Sequence, residues 1–253
     1  MIEYERIKHK EDKYNYETDR IAVKCVFDMN KKGAQKYLKE AQKLADMVNP
    51  HKANQSNTIR TSKRLLEDAF AGILAERGWL LYIQKTFGKE TVKIPDFVSS
   101  NGQIDLQLSN GKTIEVRSSF AKNGLEFALC NKKYNFKNIC KYNNLYKSSE
   151  VDKDFFAVVI FETPKEKLLT SDKIVFHLIG GSTRRMMQND KIAFNENLRP
   201  MNNSSTMVKT NYRVILLKDC LDISNFEKYI VAQGIPKLKE ELKLKEIQKN
   251  IWR

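Results

Sequence analysis

The sequence predicts a mixed α/β domain. Three observations carry this: two stretches with apolar residues at helical spacing, several short runs rich in β-branched and aromatic residues, and an order in which the two kinds alternate. A chain of 253 residues is long enough for one sizeable core with an added lobe. Its 41% hydrophobic and 30% charged content is that of a globular protein.

The elements follow in order. Residues 1–30 show no clear period. In 31–48, Tyr37, Leu38, Ala41, Leu44, Ala45 and Val48 recur at helical spacing, and Asn49-Pro50 stops the helix. Residues 51–60 are polar and read as a loop. Thr61 or Ser62 caps a second helix that runs to Arg77, with Gly78 as its stop and Leu66, Phe70, Ile73 and Leu74 on its apolar side. Trp79–Ile83 reads as a strand, and so does Thr91–Ile94, ended by Pro95. Two more strands, Ile104–Leu108 and Thr113–Ser119, flank Ser109-Asn110-Gly111. The basic, aromatic and asparagine-rich residues 131–149 read as helical. Phe155–Phe161 is a continuous apolar run, as in a strand covered on both faces. Lys173–Ile179 is a strand ending at Gly180-Gly181, and Val214–Leu217 is a further one. Asn202–Ser205 is a polar loop, and 237–252 a Lys/Glu-rich terminal helix. The expected organisation is an N-terminal helical addition over 1–60 and a main domain over 61–253.

Charge narrows the function. The formal net charge is +14 and the isoelectric point about 9.5, a surplus that attracts polyanions. Nucleic acid is the natural partner. An anionic membrane surface fits less well, because no basic amphipathic membrane helix stands out and no apolar stretch approaches bilayer length. Residues 1–20 are mostly charged residues and tyrosines without an apolar h-region, so a cytoplasmic location is expected. Cys25, Cys130, Cys140 and Cys220 are widely spaced, as are His9, His51 and His177, which argues against a zinc site. No G-x-S-x-G elbow is present.

The informative stretch is residues 94–120, IPDFVSSNGQIDLQLSNGKTIEVRSSF. A two-residue Asn110-Gly111 turn would place Asp105 and Glu115 on opposite faces and mix apolar with polar side chains. A three-residue loop, Ser109-Asn110-Gly111, with glycine in the left-handed position, instead pairs Ile104 with Val116, Asp105 with Glu115, Leu106 with Ile114 and Gln107 with Thr113. One face is then wholly apolar and the other polar. A one-residue slip would flip every side chain, so the three-residue loop is expected. Two carboxylates then sit side by side, about 5 Å apart at Cβ. Their repulsion is relieved by a divalent cation such as Mg²⁺, which takes one or two carboxylates, waters and phosphate oxygens. Hairpins with exposed Asp and Glu are common, so the pattern alone does not single out a metal site.

With its flanking residues, Asp105 followed by Glu115-Val116-Arg117 resembles the active-site signature of the PD-(D/E)XK nuclease superfamily, which includes many type II restriction endonucleases. The helix at 61–77 similarly resembles the one that precedes the active-site sheet in these enzymes. The likeness covers residues 61–180. It implies a restriction-endonuclease-like mixed central sheet flanked by helices, with Mg²⁺ held by Asp105 and Glu115. Glu67 is the matching helix glutamate, a further metal ligand, although an ion pair with Lys63 or Arg64 also accounts for it. Glu76 is a second candidate. Asp96, in Pro95-Asp96, is the other reading of the first carboxylate, and the hairpin favours Asp105. Arg117 takes the position usually held by lysine. An arginine stays protonated and cannot act as a general base, but it can hold the scissile phosphate.

The implied activity is a Mg²⁺-dependent cut of double-stranded DNA at a short specific sequence, leaving a 5′-phosphate. A homodimer and a companion DNA methyltransferase that protects host DNA are implied with it. A repair or junction-resolving nuclease of the same fold, or a DNA-binding module with an inactive site, are the other readings. Lys132, Lys133, Lys137 and Lys141 are the expected phosphate contacts, in a window free of acidic residues between Glu126 and Glu150. Tyr134, Phe136, Tyr142 and Tyr146 read as packing. Arg184 and Arg185, after Gly180-Gly181-Ser182-Thr183, are further candidates at a helix start, although a plain connecting loop also accounts for that stretch.

Overall fold

The structure, a computed structural model, describes residues 2–9, 20–48, 60–96, 103–121, 123–130, 136–142, 151–198 and 210–238. Its organising element is the strand β7, Phe155–Phe161, every residue of which is buried. Side chains alternate along a strand. Phe155, Ala157, Val159 and Phe161 therefore enter one core, while Phe156, Val158 and Ile160 enter another on the opposite face. The continuous apolar run is the sequence mark of this two-sided burial.

Among the described residues, seven strands form the main sheet: β1 (Ile2–His9), β2 (Arg20–Asp28), β3 (Val92–Lys93), β4 (Leu106–Leu108), β5 (Thr113–Phe120), β7 and β8 (Lys173–Thr183). They lie in the order β1-β2-β8-β7-β5-β4-β3. The β5–β7 pairing is parallel and the others are antiparallel. One face carries the helices α1 (Ala34–Met47), α2 (Ser62–Phe87) and α5 (Ile223–Ala232). The other carries α3 (Leu125–Cys130), α4 (Arg184–Met187) and a second sheet of β6 (Lys137–Tyr142), β9 (Ala193–Leu198) and β10 (Thr210–Leu216), in the order β6-β10-β9. The fold is mixed α/β, with a mixed central sheet flanked by helices.

Several expectations hold in detail. The helix at 31–48, the strand Phe155–Phe161 and the hairpin strands are present. Others are corrected. Residues 1–60 are not a helical addition: β1 and β2 belong to the main sheet, with β2 paired to β8 and α1 packed on α2. Trp79–Ile83 is not a strand but the continuation of α2, which ends at Gly88. A short apolar run does not distinguish strand from helix, and here Trp79, Leu80, Tyr82, Ile83 and Phe87 extend the buried stripe. Gly78 is no stop. A Cβ there would lie 2.7 Å from the Phe176 ring and 3.3 Å from Leu178, so this glycine lets α2 approach β8. Gly78→Ala is expected to cost about 1–3 kcal/mol through overpacking. In the same helix a Cβ on Gly72 would meet nothing within 4 Å, and Gly72→Ala is expected to stabilise by up to about 1 kcal/mol. Urea denaturation of both variants checks the contrast.

The stretch 131–149 is not helical where it is described. Residues 137–142 form β6, with Asn138 and Cys140 turned inward. The polar Asn138 at an inward position concealed the two-residue period. Asn138 is satisfied by donating to the Phe156 carbonyl at 3.1 Å and to Ser182 Oγ at 2.8 Å. Nor does Gly180-Gly181 end its strand. β8 runs on to Thr183, and a Cβ on either glycine would lie 2.1 Å from a carbonyl oxygen, of Leu221 or of Phe156. The terminal helix expected at 237–252 and the loop at Asn202–Ser205 lie outside the described residues, apart from Lys237 and Leu238, which are not helical. Among the described residues, no helix is long and apolar enough to cross a membrane.

Candidate active site

The β4–β5 hairpin has the expected register. Leu106 pairs with Ile114 and Gln107 with Thr113. The Leu108 N–H donates to the Lys112 carbonyl and the Gly111 N–H to the Leu108 carbonyl, each at 2.8 Å, which closes the three-residue loop 109–111. Gly111 has φ 84°, the left-handed geometry such a loop requires. Leu106, Leu108 and Ile114 enter the core beneath the helices. By alternation Glu115 and Arg117 project from the other face, toward the small sheet.

β4 begins two residues later than expected, at Leu106, because Asp105 ends the ladder. Its Oδ2 accepts the Val116 N–H at 2.7 Å and so ties the carboxylate onto β5. Asp105 is half-buried, and its pKa is pushed up from 3.8 to about 7. Burial is the largest cause, followed by the negative charge of Glu115. The Val116 N–H and Arg117 act in the opposite sense, and Glu76 adds a smaller upward push. Burial and the neighbouring charge of Glu115 therefore both disfavour the ionised form of Asp105.

Glu115, itself buried, is held from two sides. Arg117 Nη1 lies 3.0 Å from Oε1, and Lys153 Nζ lies 4.0 Å from Oε2. Lys153 is 2% exposed, a burial that lysine rarely reaches unpaired. It stands just before β7, whose parallel pairing sets Glu115 opposite Phe156. The segment around it is locked. Arg184 Nε donates to the Lys153 carbonyl at 3.1 Å and Nη2 to the Asp152 carbonyl. Asp154 accepts from Thr113 N at 3.0 Å and from Lys112 Nζ at 3.2 Å on its other oxygen.

The helix glutamates divide differently from expectation. Glu67 is buried, with Lys63 at 3.8 Å, one turn away. Its neighbour Asp68 pairs with Lys165, beyond the far end of β7, and Lys165 lies over the Phe120 ring at the end of β5. Glu76 is nine residues further along α2, about 13 Å at 1.5 Å per residue. It is Glu76 whose charge acts on Asp105. Burial, the largest cause, raises the Glu76 pKa to about 7 against the pull of Arg77, and the charge of Glu40 adds a smaller upward push. Of the two helix glutamates, Glu76 is thus the one whose charge acts on Asp105, while Glu67 is buried with Lys63 as its ion-pair partner. Asp96 is exposed after β3, whereas the charges acting on Asp105 are Glu115, Arg117 and Glu76.

Of the expected DNA contacts, Lys132 and Lys133 lie outside the described residues. Lys137 pairs with Glu196 at 3.0 Å, and Lys141 pairs with Asp152. Arg184 is committed to the backbone of 152–153. Arg185 is exposed on α4, whose N-cap Thr183 accepts the Met186 N–H. Sequence reasoning missed Lys153. The available signal was a lone lysine against a fully apolar strand. It also took Tyr142 for packing, although this ring contacts Arg117, with the guanidinium carbon 4.6 Å from its centroid.

Among the described residues, no group of three or more His, Cys, Asp or Glu side chains forms a metal cage. What the site offers is Asp105, whose ionised form is disfavoured by burial and by the charge of the neighbouring Glu115. Mg²⁺ needs no more than one or two carboxylates, since water and phosphate complete its shell. Asp105 and Glu115 are the carboxylates such an ion would take, and Glu115 is already faced by Arg117 and Lys153.

No family model matches the chain, and no solved structure matches it. It is similar to an uncharacterized protein of Methanocaldococcus jannaschii, 30% identical over 141 residues that make up 49% of this chain and 48% of that protein. The chain thus spans about half the length of the curated relative it matches.

Proposed function

We propose that this protein is a Mg²⁺-dependent DNA endonuclease with a restriction-endonuclease-like fold, acting as a type II enzyme on a short specific sequence. The observation that carries the reading is the closeness of Asp105, which ends the β4–β5 ladder, to Glu115, whose negative charge raises its pKa. Asp105 and Glu115 would hold the ion, with Glu76 adding negative charge nearby. Bound there, Mg²⁺ supplies polarisation of the phosphodiester and a more acidic water.

The chain's own residues do the rest. Arg117 remains protonated throughout, so it serves the phosphate and not the water. Its guanidinium stabilises charge that develops on the phosphate oxygens. Lys153 holds the second oxygen of Glu115 and, with Arg117, fixes that carboxylate. The net charge of +14 favours a polyanionic substrate. Lys137 and Lys141, on β6, are phosphate contacts once DNA competes with Glu196 and Asp152. The type II reading brings with it a homodimer, a cytoplasmic location and a companion methyltransferase.

A second reading is a DNA-binding module with an inactive site. It is favoured by the arginine at position 117 and by the two cations already standing on Glu115. Incubation with unmethylated phage and branched DNA, in Mg²⁺ and in EDTA, separates the readings. The endonuclease gives discrete fragments from phage DNA in Mg²⁺ and none in EDTA. Preferential cutting of branched DNA indicates a junction-resolving or repair nuclease. A gel shift without cutting in either Mg²⁺ or Mn²⁺ indicates the inactive module.

A further inference from the structure

The small sheet reaches the candidate active site through one side chain. Tyr142, the last residue of β6, lies against Arg117, whose Nη1 donates to the Tyr142 hydroxyl at 3.4 Å. The same guanidinium packs on the ring, with its carbon 4.6 Å from the centroid. On its other side, Nη1 is 3.0 Å from Glu115 Oε1. The ring is in turn held by Tyr212 of β10, its direct partner in the strand register, edge-on at 5.0 Å between centroids. A chain of contacts therefore runs from Glu115 through Arg117 and Tyr142 to Tyr212, linking the two sheets.

We propose that Tyr142 is a positioning residue for Arg117, an inference that rests on the nuclease reading of the site. Arginine is long and has many rotamers, and a single ion pair fixes one of its nitrogens but not the plane of the guanidinium. An aromatic face attracts the cation and sets that plane. With Glu115 on one side and the Tyr142 ring on the other, Arg117 is presented to a phosphate in one orientation. The small sheet, by this account, is part of the catalytic machinery, and Tyr212 keeps the Tyr142 ring from turning away.

The test uses the full chain and single-turnover cutting of DNA in Mg²⁺. Tyr142→Leu is expected to slow cutting about tenfold, within the range of a partly desolvated cation–π contact, with DNA affinity changed less than about twofold. Tyr142→Phe keeps the ring and is expected to restore the rate to within about threefold of the parent. In an Arg117→Ala background, Tyr142→Leu has no further effect, because the two residues act as one unit. Additive losses, or a Phe variant as slow as the Leu variant, overturn the proposal. A second readout is independent of activity. The Arg117 side-chain N–H signal in NMR spectra is expected to be ring-current shifted in the parent and the Phe variant, and to lose that shift in the Leu variant. An unshifted signal in the folded parent overturns the contact itself. A shifted signal in a protein that binds but never cuts DNA overturns the nuclease reading instead.

Discussion

Asp105→Asn and Glu115→Gln are each expected to slow DNA cutting by at least about 100-fold, the upper end of what loss of a partner one shell further from a metal costs. Both changes keep the shape of the side chain and remove its negative charge. In Asp105→Asn the new amide oxygen can still accept the Val116 N–H, so the hairpin is retained. DNA affinity is expected to stay near that of the parent, because binding rests on the basic surface and not on the carboxylates. The Glu115 change has a second consequence. Arg117 and Lys153 both face this carboxylate, at 3.0 and 4.0 Å, and a neutral amide leaves two cations together in a buried setting. Glu115→Gln is therefore expected to lose stability as well as activity, of the order of 3–5 kcal/mol, while Asp105→Asn does not. A quantitative cutting assay beside urea melts checks both parts. Cutting by Asp105→Asn at the parent's rate would falsify the assignment of the site.

Much of this site was legible in the sequence because register is a strong constraint. Leu106, Leu108 and Ile114 can share one buried face only if the loop has three residues, and that choice sets Asp105 beside Glu115. The apolar run of β7 was equally plain, because burial on both faces leaves no polar position. What escaped depends on contacts distant in sequence. Lys153 meets Glu115 across a parallel pairing between strands separated by a long connection, and no local period reports that. Glu76 and Glu67 lie on one helix, and only the placement of α2 along β5 and β7 decides which of them approaches Asp105. β6 was hidden by its own composition, since its inward residues are Asn138 and Cys140. The strand β2 escaped for a related reason. β2 has Ala22 and Val23 both buried in succession, one toward each core, and this breaks a simple alternation.

Without metal, the folded chain is expected to lose stability as pH rises from about 4 to about 7, by about 2–4 kcal/mol from Asp105 alone. The sign follows from the direction of the shift. Asp105 ionises near pH 3.8 when unfolded and near 7 when folded. Below the lower value both states hold the proton and the group's contribution is fully present. Between the two, unfolding releases a proton and is favoured by rising pH. Above the upper value the loss is complete. Glu76 is raised to about 7 as well and acts in the same direction. Asp105→Asn is therefore expected to remove part of the slope, and the double variant with Glu76→Gln most of it. For Asp154 desolvation is the largest influence and raises the pKa, but its Thr113, Lys112 and Arg184 partners together outweigh it and lower the pKa, so it contributes at acid pH and in the opposite sense and does not mask this window. Mg²⁺ supplies the decisive comparison. An ion held at this site selects the ionised form of Asp105, so it is expected to raise the melting temperature more at pH 8 than at pH 6, growing with concentration as ligand linkage requires. In Asp105→Asn the Mg²⁺ effect disappears. A pH slope as described, combined with no response to Mg²⁺ at any pH, would mean that the pair is a buried acid cluster of structural origin, and that its repulsion is relieved by a proton and not by a metal.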